Sequence, residues 1–152
     1  MSGVALAPTL LASFDASVLY EADNATPSSA AVGVYVTDGA ETYCERSLSV
    51  DAFVSSTALE YRALVEAASA VTAAADTASA VHFRGDADVV LRTTDPDRPA
   101  EPSDRLLRRR VATVRAAVAD VPEVTYRTIP RESNREAHRL ARAGHDVDGN
   151  AG

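Results

Sequence analysis

The spacing of apolar and polar positions changes period several times along the chain. From Thr9 to Tyr20 apolar residues alternate or run together as in a strand, and Ala31-Val32-Gly33-Val34-Tyr35-Val36 is a second β-rich run closed by the turn pair Asp38-Gly39. Thr42 to Val50 reads as a third strand, so an antiparallel meander opens the chain. Ser55-Ser56-Thr57 offers capping hydroxyls, and the Ala-rich stretch Ala58 to Ala75 follows as a long helix with little to break it. Ser79 to Arg84 is a short strand, and Gly85-Asp86 opens a brief helical run to Arg92. Thr93 to Ser103, with three prolines, reads as a loop. A second long helix begins near Asp104 and ends before Pro122. Val124 to Ile129 is the fifth strand, stopped by Pro130, and Asn134 to Ala143 is the last helix. Strands reached through helices lie parallel to the first, so the order βββαβααβα predicts an α/β fold: a mixed five-stranded sheet flanked by helices. Residues 1–8 read as an N-terminal extension, 9–144 as one domain, and 145–152 as a polar tail.

Composition narrows the class. With 152 residues, 46% of them hydrophobic and 24% charged, the chain can bury a core of its own, which excludes a disordered chain. Cys44 stands alone, so neither a disulfide framework nor a thiolate zinc site can form, and a reducing, cytoplasmic setting is expected. The apolar stretch Val4 to Ala12 is too short to span a bilayer and lacks the basic flank of a secretion signal. Acidic residues number 22 against 15 basic ones, for a net charge of −7, and all the basic ones are Arg. A Lys-free, acidic, Ala-rich protein fits a cytoplasm of molar salt, where the Debye length falls to about 3 Å and self-repulsion is screened. A GC-rich genome would produce the same bias. Under the salt reading, net acidity is no argument against a nucleic-acid partner.

Three carboxylates fall where apolar residues belong. Asp15 sits inside the first strand, in Phe14-Asp15-Ala16-Ser17, where a bare charge is costly. Glu60 heads the helical stripe completed by Leu64, Ala67, Val71 and Ala74. Asp86 directly follows the fourth strand, at the carboxyl end of a parallel strand where ligands gather in open α/β sheets. Singly, Asp15 could mark a strand bend, Glu60 could favour the helix dipole and Asp86 could cap a helix. Together they point to a hard cation that neutralises them.

These residues resemble the type I ribonuclease H family, of the archaeal and plant-like kind. Four segments carry the likeness: Phe14-Asp15-Ala16-Ser17, Leu59-Glu60-Tyr61-Arg62-Ala63-Leu64, Gly85-Asp86-Ala87-Asp88-Val89-Val90, and Ile129-Pro130-Arg131-Glu132-Ser133-Asn134-Arg135-Glu136-Ala137-His138-Arg139-Leu140-Ala141. The resemblance implies two-metal hydrolysis of the RNA strand of RNA/DNA hybrids with Mg²⁺ or Mn²⁺. Asp15 would bridge the two ions, with Glu60 and Asp86 on the one nearer the leaving 3′-oxygen. His138 stands where the family has a fourth acidic residue. A neutral imidazole can ligate Mn²⁺ or position a water but adds no negative charge; a surface or packing role is the alternative.

Substrate contacts implied by the likeness fall on Ser17, Ser56, Thr57, Arg131, Asn134 and Arg135, the hydroxyls serving 2′-OH groups. Where relatives have a Gly-rich turn this chain has Val18-Leu19-Tyr20-Glu21, and a Pro-rich loop replaces the Lys-rich protrusion of some bacterial relatives. Arg105, Arg108, Arg109, Arg110 and Arg115 point in several directions on one helix and read as a solvated face as readily as a phosphate site. Asp146 is not expected at the site, and His145 is expected to be solvated. The alternative function is a weakened or inactive ribonuclease H-like module that binds nucleic acid without cutting it.

Overall fold

The computed structural model describes residues 7–51, 55–74, 77–98 and 100–146. The expected order is observed: β1 Thr9–Tyr20, β2 Pro27–Thr37, β3 Thr42–Ser49, α1 Ser56–Ala74, β4 Ala80–Gly85, α2 Asp88–Thr94, α3 Arg105–Ala117, β5 Glu123–Thr128 and α4 Arg135–Ala143. One sheet runs β3-β2-β1-β4-β5, with β1–β2 and β2–β3 antiparallel and β1–β4 and β4–β5 parallel. Beyond the expected elements, single 3₁₀ turns flank α4 at Arg131–Ser133 and Gly144–Asp146. The predicted helix end at Ala75, Pro99 of the loop and the tail beyond Asp146 lie outside the described residues.

Two boundaries differ from the sequence reading. β2 begins at Pro27, four residues before Ala31, because Ser29 and Pro27 continue the ladder against Leu19 and Tyr20 of β1, with Ser28 at a register shift between them. The polar side chains of Ser28 and Ser29 hide this part of the strand from a hydrophobicity reading. Thr93 and Thr94, assigned to the loop, close α2 and are buried. Both hydroxyls return to carbonyls of the preceding turn, which satisfies them inside the helix.

Leu10, Ala12 and Phe14 of β1, with Val32, Val34 and Val36 of β2, are fully buried and belong to one core with the Ala-rich face of α1. Short alanines at 63, 67, 68 and 70 let that helix pack tightly on the sheet. On α3, the Asp104 carboxylate accepts from the Leu106 and Leu107 amides and caps the helix. Arg115 donates to the Thr93 and Thr94 carbonyls at the end of α2, so this member of the arginine group is used by the fold.

Two glycines set close approaches that matter for the site. A Cβ on Gly33 would lie 2.2 Å from the Ala141 amide nitrogen and 2.5 Å from the Ala137 carbonyl oxygen, so α4 rests backbone to backbone on β2. Gly33 is the cross-strand partner of Asp15, and this seating places the middle of α4 beside that aspartate. At the end of β4, a Cβ on Gly85 would meet the Phe14 ring at 2.8 Å, so Phe14 and Gly85 nest together immediately before Asp15 and Asp86.

Candidate active site

Asp15 leaves the middle of β1, Glu60 the second turn of α1, and Asp86 the residue after β4. One carboxylate oxygen from each lies within 4.8 Å of the other two. Asp15 is only 4% exposed. Its carboxyl is held above the usual aspartate range, chiefly by burial and also by the nearby Asp86 charge, against the lowering effect of hydrogen bonds from His138 and the Ala16 amide. Glu60 is pushed up to about 8 by burial and by the charges of Asp15 and Asp86. One oxygen, Oε2, is buried with no hydrogen-bond partner. No guanidinium pairs with any of the three among the described residues.

The everyday explanations fail on these particulars. Asp86 caps nothing, because the residue preceding α2 is Ala87 and no side chain bonds the α2 amides. Glu60 lies past the first turn of α1, beyond the best of the dipole. Crowded, repelling carboxylates without guanidinium partners, one with an orphaned buried oxygen, form an oxygen donor set that fits a hard divalent cation.

His138 reaches the group from α4. Its Nδ1 lies 2.9 Å from Asp15 Oδ2, and with Asp15 ionised the Nδ1–H donates to it. It touches Asp15 but is not part of the three-residue cluster. Asn134, one turn earlier, is buried, and its Nδ2 donates to the Phe14 carbonyl, tying the start of α4 to β1 next to the aspartate.

A cleft of about 300 Å³ opens over the carboxylates, lined among others by Ser17, Leu19, Arg131, His138 and Arg142. Thus Ser17 and Arg131 stand at the cluster, whereas Arg135 does not line that cleft; it lines a groove with Arg131, His138 and Arg142, and also a second cleft against the sheet. Ser56 and Thr57 are exposed at the start of α1, less than two turns before Glu60; the capping hydroxyl is Ser55, which accepts from the Ala58 amide. Arg105, Arg108 and Arg109 are exposed on α3, and Arg110 keeps its Nε buried without a partner.

His145 corrects the sequence reading. It is half-buried rather than solvated, with Nδ1 2.7 Å from Ser29 Oγ and Nε2 2.9 Å from Ser17 Oγ. Burial lowers its pKa, so the ring stays neutral and bridges two hydroxyls. Asp146 is exposed, outside the cluster. Arg142 and His145 were the residues missed. Arg142 follows His138 by four positions, a helical spacing that could have flagged it. Nothing in the polar tail signals the docking of His145.

The sheet order with its flanking helices is the ribonuclease H fold, and comparison with known proteins agrees. The chain belongs to the reverse transcriptase-like family, whose model matches residues 14–144. No curated protein matches it by sequence. Among solved structures it is similar to the RNase H1 of the halophilic archaeon Halobacterium salinarum, at 23% identity and TM-score 0.75 over 91% of this chain and 98% of that one. LC11-RNase H1, solved in complex with an RNA/DNA hybrid, gives 22% and 0.75 over 91% and 97%. The N-terminal RNase H domain of a Mycobacterium tuberculosis protein gives 18% and 0.69 over 94% and 99%. At these identities the likeness establishes the fold. No described helix is long and apolar enough to cross a membrane.

Proposed function

We propose that the chain is a metal-dependent endonuclease that hydrolyses the RNA strand of RNA/DNA hybrids, with residues 9–144 as the working domain. The observation that carries this reading is the convergence of Asp15, Glu60 and Asp86 within 4.8 Å, unpaired with any arginine, at the mouth of a cleft. Two Mg²⁺ or Mn²⁺ ions held there would neutralise the scissile phosphate and supply an activated water.

The chain's own residues do the rest. Asp15, Glu60 and Asp86 would hold the ions through their carboxylate oxygens, with Asp15 shared between both ions and Glu60 and Asp86 serving the one on the leaving-group side. His138 fixes the rotation of the Asp15 carboxylate through Nδ1 and lends no negative charge, so the site holds cations less tightly than four carboxylates would. Ser17, Ser56 and Thr57 present hydroxyls to 2′-OH groups, and Arg131 and Arg135 face phosphates from the α4 side. Asn134 contributes by tying α4 to β1. The Lys-free acidic composition fits work in a cytoplasm of molar salt, and the halophilic origin of one structural neighbour is in keeping with it.

A second reading, a binding module that has lost catalysis, draws on the same His138 contact, which occupies one Asp15 oxygen. A labelled RNA/DNA hybrid incubated at high KCl with Mn²⁺ or Mg²⁺, beside an Asp15→Asn control, separates the two. We expect cleavage by the parent and none by the variant. Intact hybrid bound without cleavage supports the module, and cleavage surviving in the variant indicates a contaminant.

A further inference from the structure

We propose a second anion site, for a phosphate group, in a cleft of about 490 Å³ between the start of α4 and the sheet face beneath it. Tyr35, Ser13 and Arg84 form a row across β2, β1 and β4 there, because Ser13 is the register partner of both others. Ser133, Asn134 and Arg135 close the cleft from the α4 side.

The inventory of polar groups gives the ligand its sign. Arg84, half-buried on β4, and Arg135 on α4 have no carboxylate partner among the described residues, and the hydroxyls of Ser13 and Ser133 bond to nothing there. A guanidinium has five N–H donors and no acceptor, so two facing arginines with two free hydroxyls present a surplus of donors. The other hydroxyls of the wall are engaged, Tyr35 with Thr42 and Thr37 with the Glu41 carbonyl. The one carboxylate lining the cleft, Glu136, accepts from Arg139, which it shares with Glu45. No side chain caps α4, whose positive end adds to the same field. In a chain of net charge −7, two arginines without acid partners lining one cleft favour an anion over a cation there, and forked donors from two directions match phosphate oxygens. The volume exceeds that of a lone phosphate and suits a nucleotide.

Ser13 and Arg84 stand two residues before Asp15 and Asp86, and Arg135 is shared with the proposed hybrid contacts, but occupancy of this site requires neither the carboxylate cluster nor cleavage. The test is calorimetric titration of the full chain in EDTA, at the lowest KCl that keeps it folded. The probes are inorganic phosphate, AMP and a 5′-phosphorylated single-stranded RNA hexamer. Saturable binding of at least one probe is expected, weakened at least tenfold by Arg84→Gln, several-fold by Ser13→Ala and to an intermediate degree by Arg84→Lys, while Asp15→Asn binds as the parent does. Binding of phosphate and AMP alone identifies a free phosphate ligand; binding of the hexamer alone identifies a strand phosphate. The proposal is overturned if no probe saturates, if a folded Arg84→Gln protein binds like the parent, or if Asp15→Asn weakens binding as much as Arg84→Gln does.

Discussion

Glu60→Gln should make the metal-free protein more stable at high pH. In the fold Glu60 titrates at about 8 against an ordinary 4.5, because burial and the charges of Asp15 and Asp86 oppose its ionisation. A group whose pKa is raised by folding contributes stability that is complete below its unfolded pKa and disappears as pH rises through the folded one. The window is therefore from about 4.5 to about 8, with stability falling as pH rises. At 1.36 kcal/mol per pH unit the full displacement is worth roughly 5 kcal/mol; relaxation of the charged site reduces this to about 2–4. Glutamine mimics the protonated acid and cannot charge. In thermal melts with EDTA, the variant should match the parent at pH 5 and exceed it at pH 9 by ~5–15 °C. Divalent cation added at pH 9 should raise the parent's melting temperature and leave the variant nearly unmoved. Asp86→Asn, which removes one of the repelling charges, should lower the folded pKa of Glu60, so that the decline ends at lower pH and is smaller than in the parent. Parallel pH curves for parent and Glu60→Gln would refute the crowded-carboxylate argument.

Further outcomes follow from other contacts. Gly33→Ala drives a methyl into the α4 backbone and should cost about 1–3 kcal/mol in urea unfolding while weakening Mn²⁺ binding, since α4 carries His138; unchanged values for both would contradict the seating described. His145→Ala removes a bridge between β1 and β2 and should lower stability by roughly 1–3 kcal/mol at pH 8, with the deficit shrinking as pH falls below 6, where protonation already disfavours the half-buried ring. Thermal melts across KCl concentrations should show stability rising toward molar salt, as 22 acidic side chains are screened; a flat profile would remove the salt-adaptation reading.

Most of the architecture was legible because each element carried its own period: alternation in β1, an unbroken Ala-rich stretch in α1, proline stops around β5. The three carboxylates were legible for the opposite reason, as charges set in apolar positions. What stayed hidden involves residues distant in the chain. The bond from His138 to Asp15 spans 123 positions, and the contact from His145 to Ser17 spans 128. Gly33 reads as a weak point in a strand, and only the helix lying on it shows why a side chain is excluded. Asn134 fits a substrate contact by motif, yet its amide is bonded to Phe14.

That β1 depends on α4 has a temporal consequence. The aspartate at the centre of the cleft is made more than a hundred residues before the asparagine that anchors its strand and the histidine that steadies it, at separations of 120 and 123 positions. A growing chain therefore holds the acidic trio without its closing helix until α4 has left the ribosome, and the site is completed only by a contact of long sequence separation.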